Sequence, residues 1–232
     1  VAEDAVTAPL FTPADAEGIV GVPRATARRW LEGYSYEYKG QTRRKNARLG
    51  PHAKRIDGTL LMSFLDLVEV KLARRLRKQG VSWARVNEAA ALFRTEWGSE
   101  HPFALRRLRS DGRKVFAEIG QQLKDPHLLQ IGTDQFVFDA IVDPSLFDVL
   151  DFREDGVPFR LWPLGRDGQV VVDPSRAFGQ PVLDRWGVPT SVLAAAYAAN
   201  DNSASKVAAA FELPVEAVEA ALRFAAEARL AA

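Results

Sequence analysis

The stretch VPRATARRWLEGYSYEYKGQTRRKNARLGPHAKR, Val22–Arg55, decides how this chain of 232 residues is read. It holds ten Lys and Arg against two carboxylates, Glu32 and Glu37, a net of +8 in a chain whose total is +1, so everything outside it sums to −7. A dipole of that size directs its basic end toward a polyanion, the alternative being a merely solvated basic loop. The stretch begins as a helix: Pro23 suits a helix start, Ala27, Trp30 and Leu31 share one face, Arg24, Arg28 and Arg29 lie off it, and Gly33 ends it. Before it, Thr12-Pro13 caps a shorter helix carrying Ala14, Ala16 and Ile19 up to the turn at Gly18–Gly21. Two short helices joined by a glycine turn, the second rich in Arg, make a helix-turn-helix candidate with Arg24, Thr26, Arg28 and Arg29 toward a nucleic-acid groove.

Downstream, Tyr34–Gly40 alternates aromatic and polar residues and leads into a basic run, the pattern of a β-hairpin wing that reaches phosphates. Tyr36, Lys39, Arg43, Arg44, Lys45 and Arg48 are its candidate contacts. Tyr34, Tyr36 and Tyr38 share one face by the strand period. They are expected to pack the hairpin on the helices, with base stacking as the alternative. From Leu60 the period becomes helical: Leu61, Leu65, Val68, Leu72 and Leu76 form a stripe, Lys71, Arg74, Arg75 and Lys78 another face, and Gly80 a stop. Ser82 caps a further helix with Trp83, Val86, Ala90, Phe93 and Trp97 inward, packed antiparallel on the previous one.

Asp111-Gly112, flanked by ALRRLR and RKVFAEI, predicts a basic two-stranded ribbon through Arg106, Arg107, Arg109, Arg113 and Lys114. Val22–Lys114 then carries 22 basic against 9 acidic residues, +13, and Val115–Ala232 carries 9 against 17, −8. Strands are expected at Gln135–Val142, Pro158–Pro163 and Gln169–Val172. Helices follow at Thr190–Ala199, at Ala204–Phe211 after the Ser203 cap, and from Pro214 with Val215, Val218, Ala221, Leu222 and Ala225 inward. This last trio has helix-turn-helix shape, yet Ser203–Ala232 nets −1 and shows Glu216 and Glu219 near a helix start, which opposes phosphate. It is therefore expected to contact protein or to dimerise.

Composition closes other routes. With no cysteine, disulfides and thiolate metal sites are excluded and the cytoplasm is the expected compartment. His52, His101 and His127 match no short metal-ligand motif, so neither metal nor cofactor is expected. Gly187–Asn200 is too short and polar for a bilayer span and no basic-then-apolar leader is seen, so no membrane partner is expected. Asp139, Asp143, Asp148, Asp151, Glu154, Asp155, Asp167 and Asp173 fit a solvated rim of turns better than a nuclease site, and the chain is not expected to be an enzyme.

The fold class expected is mainly α with small β elements: an N-terminal winged helix-turn-helix (11–100) after a flexible 1–10, a small α/β connector with the basic hairpin (101–168), and a C-terminal three-helix, helix-turn-helix-like domain (169–232). Two resemblances bear on function. The order of two short helices, wing and two longer helices, with Asp66-Leu67 and RKQGVSWARV (Arg77–Val86), resembles the DNA-binding head of the MerR family. The usual Tyr-Tyr-Glu after the second helix, the long dimerisation helix and the effector cysteines are missing. Over Val172–Ala228, Asp173-Pro174, Gly179-Gln180-Pro181-Val182, Gly187-Val188-Pro189-Thr190 and the helix pair Lys206–Phe211 and Pro214–Phe224 resemble a bacterial antitoxin domain catalogued only as of unknown function. Together they look like a VapB-type antitoxin. The resemblance implies a homodimeric, double-stranded-DNA-binding antitoxin that represses its own operon and neutralises a VapC-like PIN-domain ribonuclease. The alternative is a stand-alone dimeric regulator. A basic side chain could plug the toxin's acidic site, the candidates being Arg176, Arg185, Arg223 and Arg229.

Overall fold

Thr12 and Asp15 satisfy each other across the first turn of α1 (Pro13–Val20): the Thr12 hydroxyl accepts from the Asp15 N–H, and the Asp15 carboxylate accepts from the Thr12 N–H at 2.7 Å. The computed structural model describes residues 4–78, 80–122, 124, 126, 129–130 and 147–230. Val22 and Ala27 are buried under the turn that links α1 to α2 (Arg24–Glu32), as the spacing predicts. At Gly33 the chain leaves α2 with φ +76°, and a Cβ there would lie 2.1 Å from the Lys45 carbonyl oxygen. Only glycine lets the base of the following hairpin come this close to the helix end.

That hairpin pairs β1 (Tyr34–Tyr38) with β2 (Gln41–Lys45), in register Tyr34 with Lys45, Tyr36 with Arg43 and Tyr38 with Gln41. A second hairpin, β3 (Lys54–Ile56) and β4 (Thr59–Leu61), turns at Asp57-Gly58 and is absent from the sequence reading. Its end hands the chain to Met62, which exchanges backbone hydrogen bonds with Phe11 at 2.8 and 3.0 Å. α3 (Phe64–Lys78) follows and is buried well beyond one stripe, since Phe64, Leu67, Val70 and Ala73 join Leu65, Val68, Leu72 and Leu76. α4 (Trp83–Trp97) is capped by the Ser82 hydroxyl. Its Val86, Ala90 and Phe93 share a core with Leu72 and Leu76 of α3.

The ribbon expected around Asp111-Gly112 is corrected: Arg107–Gln122 is α5. Leu108, Gly112, Phe116 and Gly120 recur every four residues and all are buried, so a helical period outweighs the local turn signal. Arg107 donates to Asp111 at 2.6 Å, one turn on, and this bond holds the Asp111 carboxyl below its usual range. The strand expected at Gln135–Val142 lies outside the described residues. β5 (Leu150–Phe152) pairs with β6 (Pro158–Leu161), and β7 (Val170–Val171) with β8 (Val182–Leu183), all antiparallel. The architecture is mainly α with small antiparallel strand pairs.

The last three helices are α6 (Thr190–Ala199), α7 (Ala204–Phe211) and α8 (Val215–Leu230). α8 buries Ala217, Val218, Ala220, Ala221 and Phe224, a face rotated from the expected one, with Leu222 and Ala225 only half-buried. Those residues belong to the same continuous core as Phe11, Ala16, Leu31 and Phe64 near the other terminus. Residues 4–10, expected to fray, are pinned. Val6 is buried, and Asp4 accepts from both terminal nitrogens of Arg153 at 2.5 and 2.6 Å. Gly179 marks the tightest join between the ends: at φ +77°, a Cβ would sit 2.6 Å from Cζ of the buried Phe11 ring. Gly179→Ala should therefore lower stability by about 1–3 kcal/mol, read as a lower urea midpoint with unchanged slope.

Candidate functional site

The basic stretch becomes an outer surface made by α2, the β1–β2 hairpin and the β3–β4 hairpin. Because Ala27 and Leu31 are buried, the helical period turns Arg24, Arg28 and Arg29 outward, all exposed. The Arg24 side chain is 72% exposed, its Nε 3.8 Å from Glu17. Thr26 is half-buried beside Arg29, Trp30 and Arg48. An open cleft of about 700 Å³ runs between α2 and the second hairpin, edged by Thr12, Arg24, Arg28, Arg29, Arg55 and Thr59.

Two of these cations are tied down. Glu32, at the end of α2, accepts from Arg28 Nε at 3.1 Å and from Arg55 at 2.5 and 3.0 Å, so Arg55 fastens the second hairpin to the helix. Burial pushes the Glu32 carboxyl up, but the bonds from Arg55 and Arg28 outweigh it and hold the group below the ordinary glutamate value.

The strand register sorts the hairpin into two faces. Tyr34, Tyr36 and Tyr38 lie with Lys45, Arg43 and Gln41 on one side, and Ser35 and Glu37 with Arg44 and Thr42 on the other. Arg44 therefore lies on the opposite face of the hairpin from Arg43 and Lys45. The expectation that the tyrosines pack the hairpin on the helices is corrected, since Tyr34 and Tyr38 are 39% and 46% exposed. Their rings face cations instead: Arg29 and Lys45 over Tyr34 at 5.6 and 5.8 Å, Lys45 over Tyr36 at 5.6 Å, and Arg43 and Lys39 over Tyr38 at 4.7 and 5.5 Å. Arg29 thereby joins the outer face of α2 to the aromatic face of the hairpin. Arg48 sits where the chain folds back, its N–H donating to the Trp30 carbonyl at 2.7 Å. The short spacing of tyrosine and basic residues across a two-residue turn held this signal. The sequence reading missed it by treating the aromatics as core.

The other candidates are placed differently. Arg176 donates to the Asp184 carboxylate and carbonyl at 2.7 and 2.6 Å and braces the turn before α6. Arg185 is exposed over Trp186, Arg223 is exposed on α8, and the side chain of Arg229 lies outside the described residues. Of the carboxylates expected on a solvated rim, Asp139 and Asp143 lie outside the described residues, Asp151 takes Trp162 Nε1 and Arg166, and Asp173 is buried. Burial pushes Asp173 up, but Ser175 and Arg160 more than offset it and leave its carboxyl lowered. His52 and His101, far apart in sequence, meet beside Asp66. Among the described residues no helix is long and apolar enough to cross a membrane.

Comparison with known proteins matches this arrangement along most of the chain. Residues 170–225 match the family described as "Protein of unknown function (DUF433)". The chain is 28% identical over 197 residues to a Mycobacterium tuberculosis (strain ATCC 25618 / H37Rv) protein named "Putative antitoxin VapB45", covering 78% of this chain and 79% of that one. The X-ray crystal structure of Rv2018 from Mycobacterium tuberculosis superposes with a TM-score of 0.72 at 25% identity, covering 93% of this chain and 98% of that chain. The chain is thus antitoxin-like in sequence.

Because the Glu32 carboxyl is lowered in the folded chain, its contribution to stability is complete above the ordinary glutamate pKa of about 4.3 and is lost as pH falls through the lower native value. Wild type and Glu32→Gln should therefore differ in urea midpoint at neutral pH, with wild type the more stable, and converge in acid below the native value.

Proposed function

We propose that the chain is a DNA-binding antitoxin that represses its own operon as a homodimer and neutralises a VapC-like PIN-domain ribonuclease. In this reading α1 and α2 form the helix-turn-helix, α2 enters the major groove, and β1–β2 is the wing on the backbone. The observation that carries it is the continuous exposed cationic surface running from Arg24 through Arg29, Tyr34, Lys45 and Arg43. Arg24, Thr26, Arg28 and Arg29 face bases, while Lys39, Arg43, Arg44, Lys45 and Arg48 hold phosphates, with Tyr36 between them. The tyrosine rings set the cations at fixed heights, which reduces the entropy lost when a long side chain meets a phosphate. One recognition helix covers a few base pairs, so two-fold symmetry supplies the second half-site.

The toxin-binding role rests on the similarity to the antitoxin and on the acidic, helical C-terminal third. Arg185 and Arg223 are the candidates exposed to a partner, whereas Arg176 is already committed to Asp184. An arginine inserted among the metal-binding carboxylates of a PIN domain would block its cation. A protein of this kind acts in the cytoplasm and needs no cofactor or catalytic residue of its own.

Titration of the full chain against duplex from upstream of its own gene tests the reading. Affinity should exceed that for random duplex and fall with salt at a log–log slope of about −4.5 per protomer, for about five phosphate contacts. Binding no better than to random duplex, or insensitive to salt, contradicts it. Arg24→Ala should cost about 1–3 kcal/mol on the cognate site and relax specificity. Converting Arg43 and Lys45 together to Gln should weaken cognate and random DNA alike and reduce the slope by about two. For the toxin, the product of a short downstream reading frame should co-purify with the chain, and Arg223→Glu should weaken that complex without affecting DNA. Failure to co-purify leaves the stand-alone regulator.

A further inference from the structure

Three segments distant in sequence converge on one small polar chamber. His52 comes from the loop between the two hairpins, His101 from the start of a short 3₁₀ turn (Pro102–Ala104), and Asp66 and Glu69 from the first turns of α3. His52 Nδ1 lies 2.6 Å from His101 Nε2, with the rings stacked at 4.7 Å. The other nitrogen of His101, Nδ1, is 3.2 Å from Glu69 Oε2 and 3.7 Å from Asp66 Oδ1. The carboxylates are themselves oriented: Glu69 Oε1 accepts from the Phe103 N–H at 3.1 Å and Asp66 Oδ2 from the Ser63 N–H at 2.9 Å. Asp66 is 0% exposed, Glu69 1% and His101 2%, and the His52 side chain, 31% exposed, closes the solvent side.

One atom in this chamber is unaccounted for. Asp66 Oδ1 is buried and accepts no hydrogen bond. A fully buried carboxylate oxygen without a donor is costly, and a cation is what such an oxygen lacks. Ligand atoms from His52, Asp66 and His101 lie within 4.8 Å of one another. Zinc bonds of about 2.0–2.2 Å to nitrogen and oxygen join ligand atoms roughly 3–3.5 Å apart, so the set must draw together to close on an ion. Glu69 fits the role that a carboxylate plays behind a metal-bound histidine. By accepting the Nδ1 proton of His101 it leaves the Nε2 lone pair turned toward His52.

We propose that His52, Asp66 and His101 form a binding site for a divalent transition-metal ion of the zinc type, with Glu69 as the positioning residue for His101. Two imidazoles and one carboxylate favour zinc and its neighbours over magnesium or calcium, which prefer all-oxygen shells. The other nitrogen of His52, Nε2, lies 3.4 Å from Glu100 Oε2, which orients that ring in turn. The bound metal would clamp the loop carrying His52, which lies within the basic stretch, onto the buried start of α3. The site does not depend on the reading of that surface as a DNA interface.

The test uses the full chain stripped with a chelator and titrated with Co²⁺ alone, then with Zn²⁺ in competition with a chromophoric chelator. One Co²⁺ per chain should bind with visible ligand-field absorption, Zn²⁺ should displace it, and Mg²⁺ should not. Zn²⁺ should also raise the thermal midpoint. His52→Ala, a partly exposed position whose truncation opens no sealed cavity, should weaken Zn²⁺ binding at least tenfold and abolish the thermal shift. Glu69→Gln should weaken it roughly 10–100-fold. Absence of saturable Co²⁺ absorption, or absorption that survives His52→Ala, would overturn the proposal and leave the cluster a hydrogen-bonded brace.

Discussion

The Phe11 ring is the contact on which the two ends of the chain depend. Its backbone bridges to Met62, at the end of the second hairpin, and its ring lies 6.2 Å from that of Phe64 at the start of α3. Gly179 approaches the same ring so closely that a methyl group there would lie 2.6 Å from Cζ. Helices α1, α2 and α8 are thereby built on one core, although the chain between them carries charge of opposite sign. Burial of large aromatics dominates such a junction because each removes so much apolar area from water. The ion pairs around it, such as Asp4 with Arg153, lie at partly exposed positions where their net contribution is small.

Charge is arranged over that core rather than within it. Carboxylates near α2 hold its arginines unequally: Glu32 takes Arg28 at 3.1 Å and Arg55 at 2.5 Å, Glu17 lies 3.8 Å from Arg24, and Arg29 lies over Tyr34. In the first hairpin the two-residue period separates Arg44 from Arg43 and Lys45, and the tyrosine rings lie beneath the latter pair. The cations of α5 are largely matched locally, Arg107 to Asp111, Arg109 to Asp148 and Lys114 to Glu118. The exposed positive surface is therefore narrower than the sequence count of +13 over Val22–Lys114 implies.

Local signals with a single physical cause were legible. The Thr12 and Ser82 caps, the Gly33 stop, the first hairpin and the last three helices follow from capping chemistry and period, and they stand where the sequence places them. Asp-Gly was not decisive by itself. At Asp57-Gly58 it turns a hairpin, whereas at Asp111-Gly112 the flanking Leu108 and Phe116 set a helical period that the turn signal cannot override. What the sequence left hidden depends on distant contacts. The strand period puts the tyrosines on one face but does not say whether that face turns inward, and Tyr34 and Tyr38 are 39% and 46% exposed. The meeting of His52 with His101 is a product of the tertiary fold, with no ligand spacing to announce it.

The proposed function divides the surface, with polyanion on α2 and the first hairpin and protein on the helical C-terminal end. Amide hydrogen exchange of the full chain with and without duplex from upstream of its own gene tests this division residue by residue. Slowed exchange is expected to concentrate in residues 24–48, with α6–α8 unchanged except at a dimer contact. Unaltered exchange across 24–48, or protection confined to α6–α8, would contradict it.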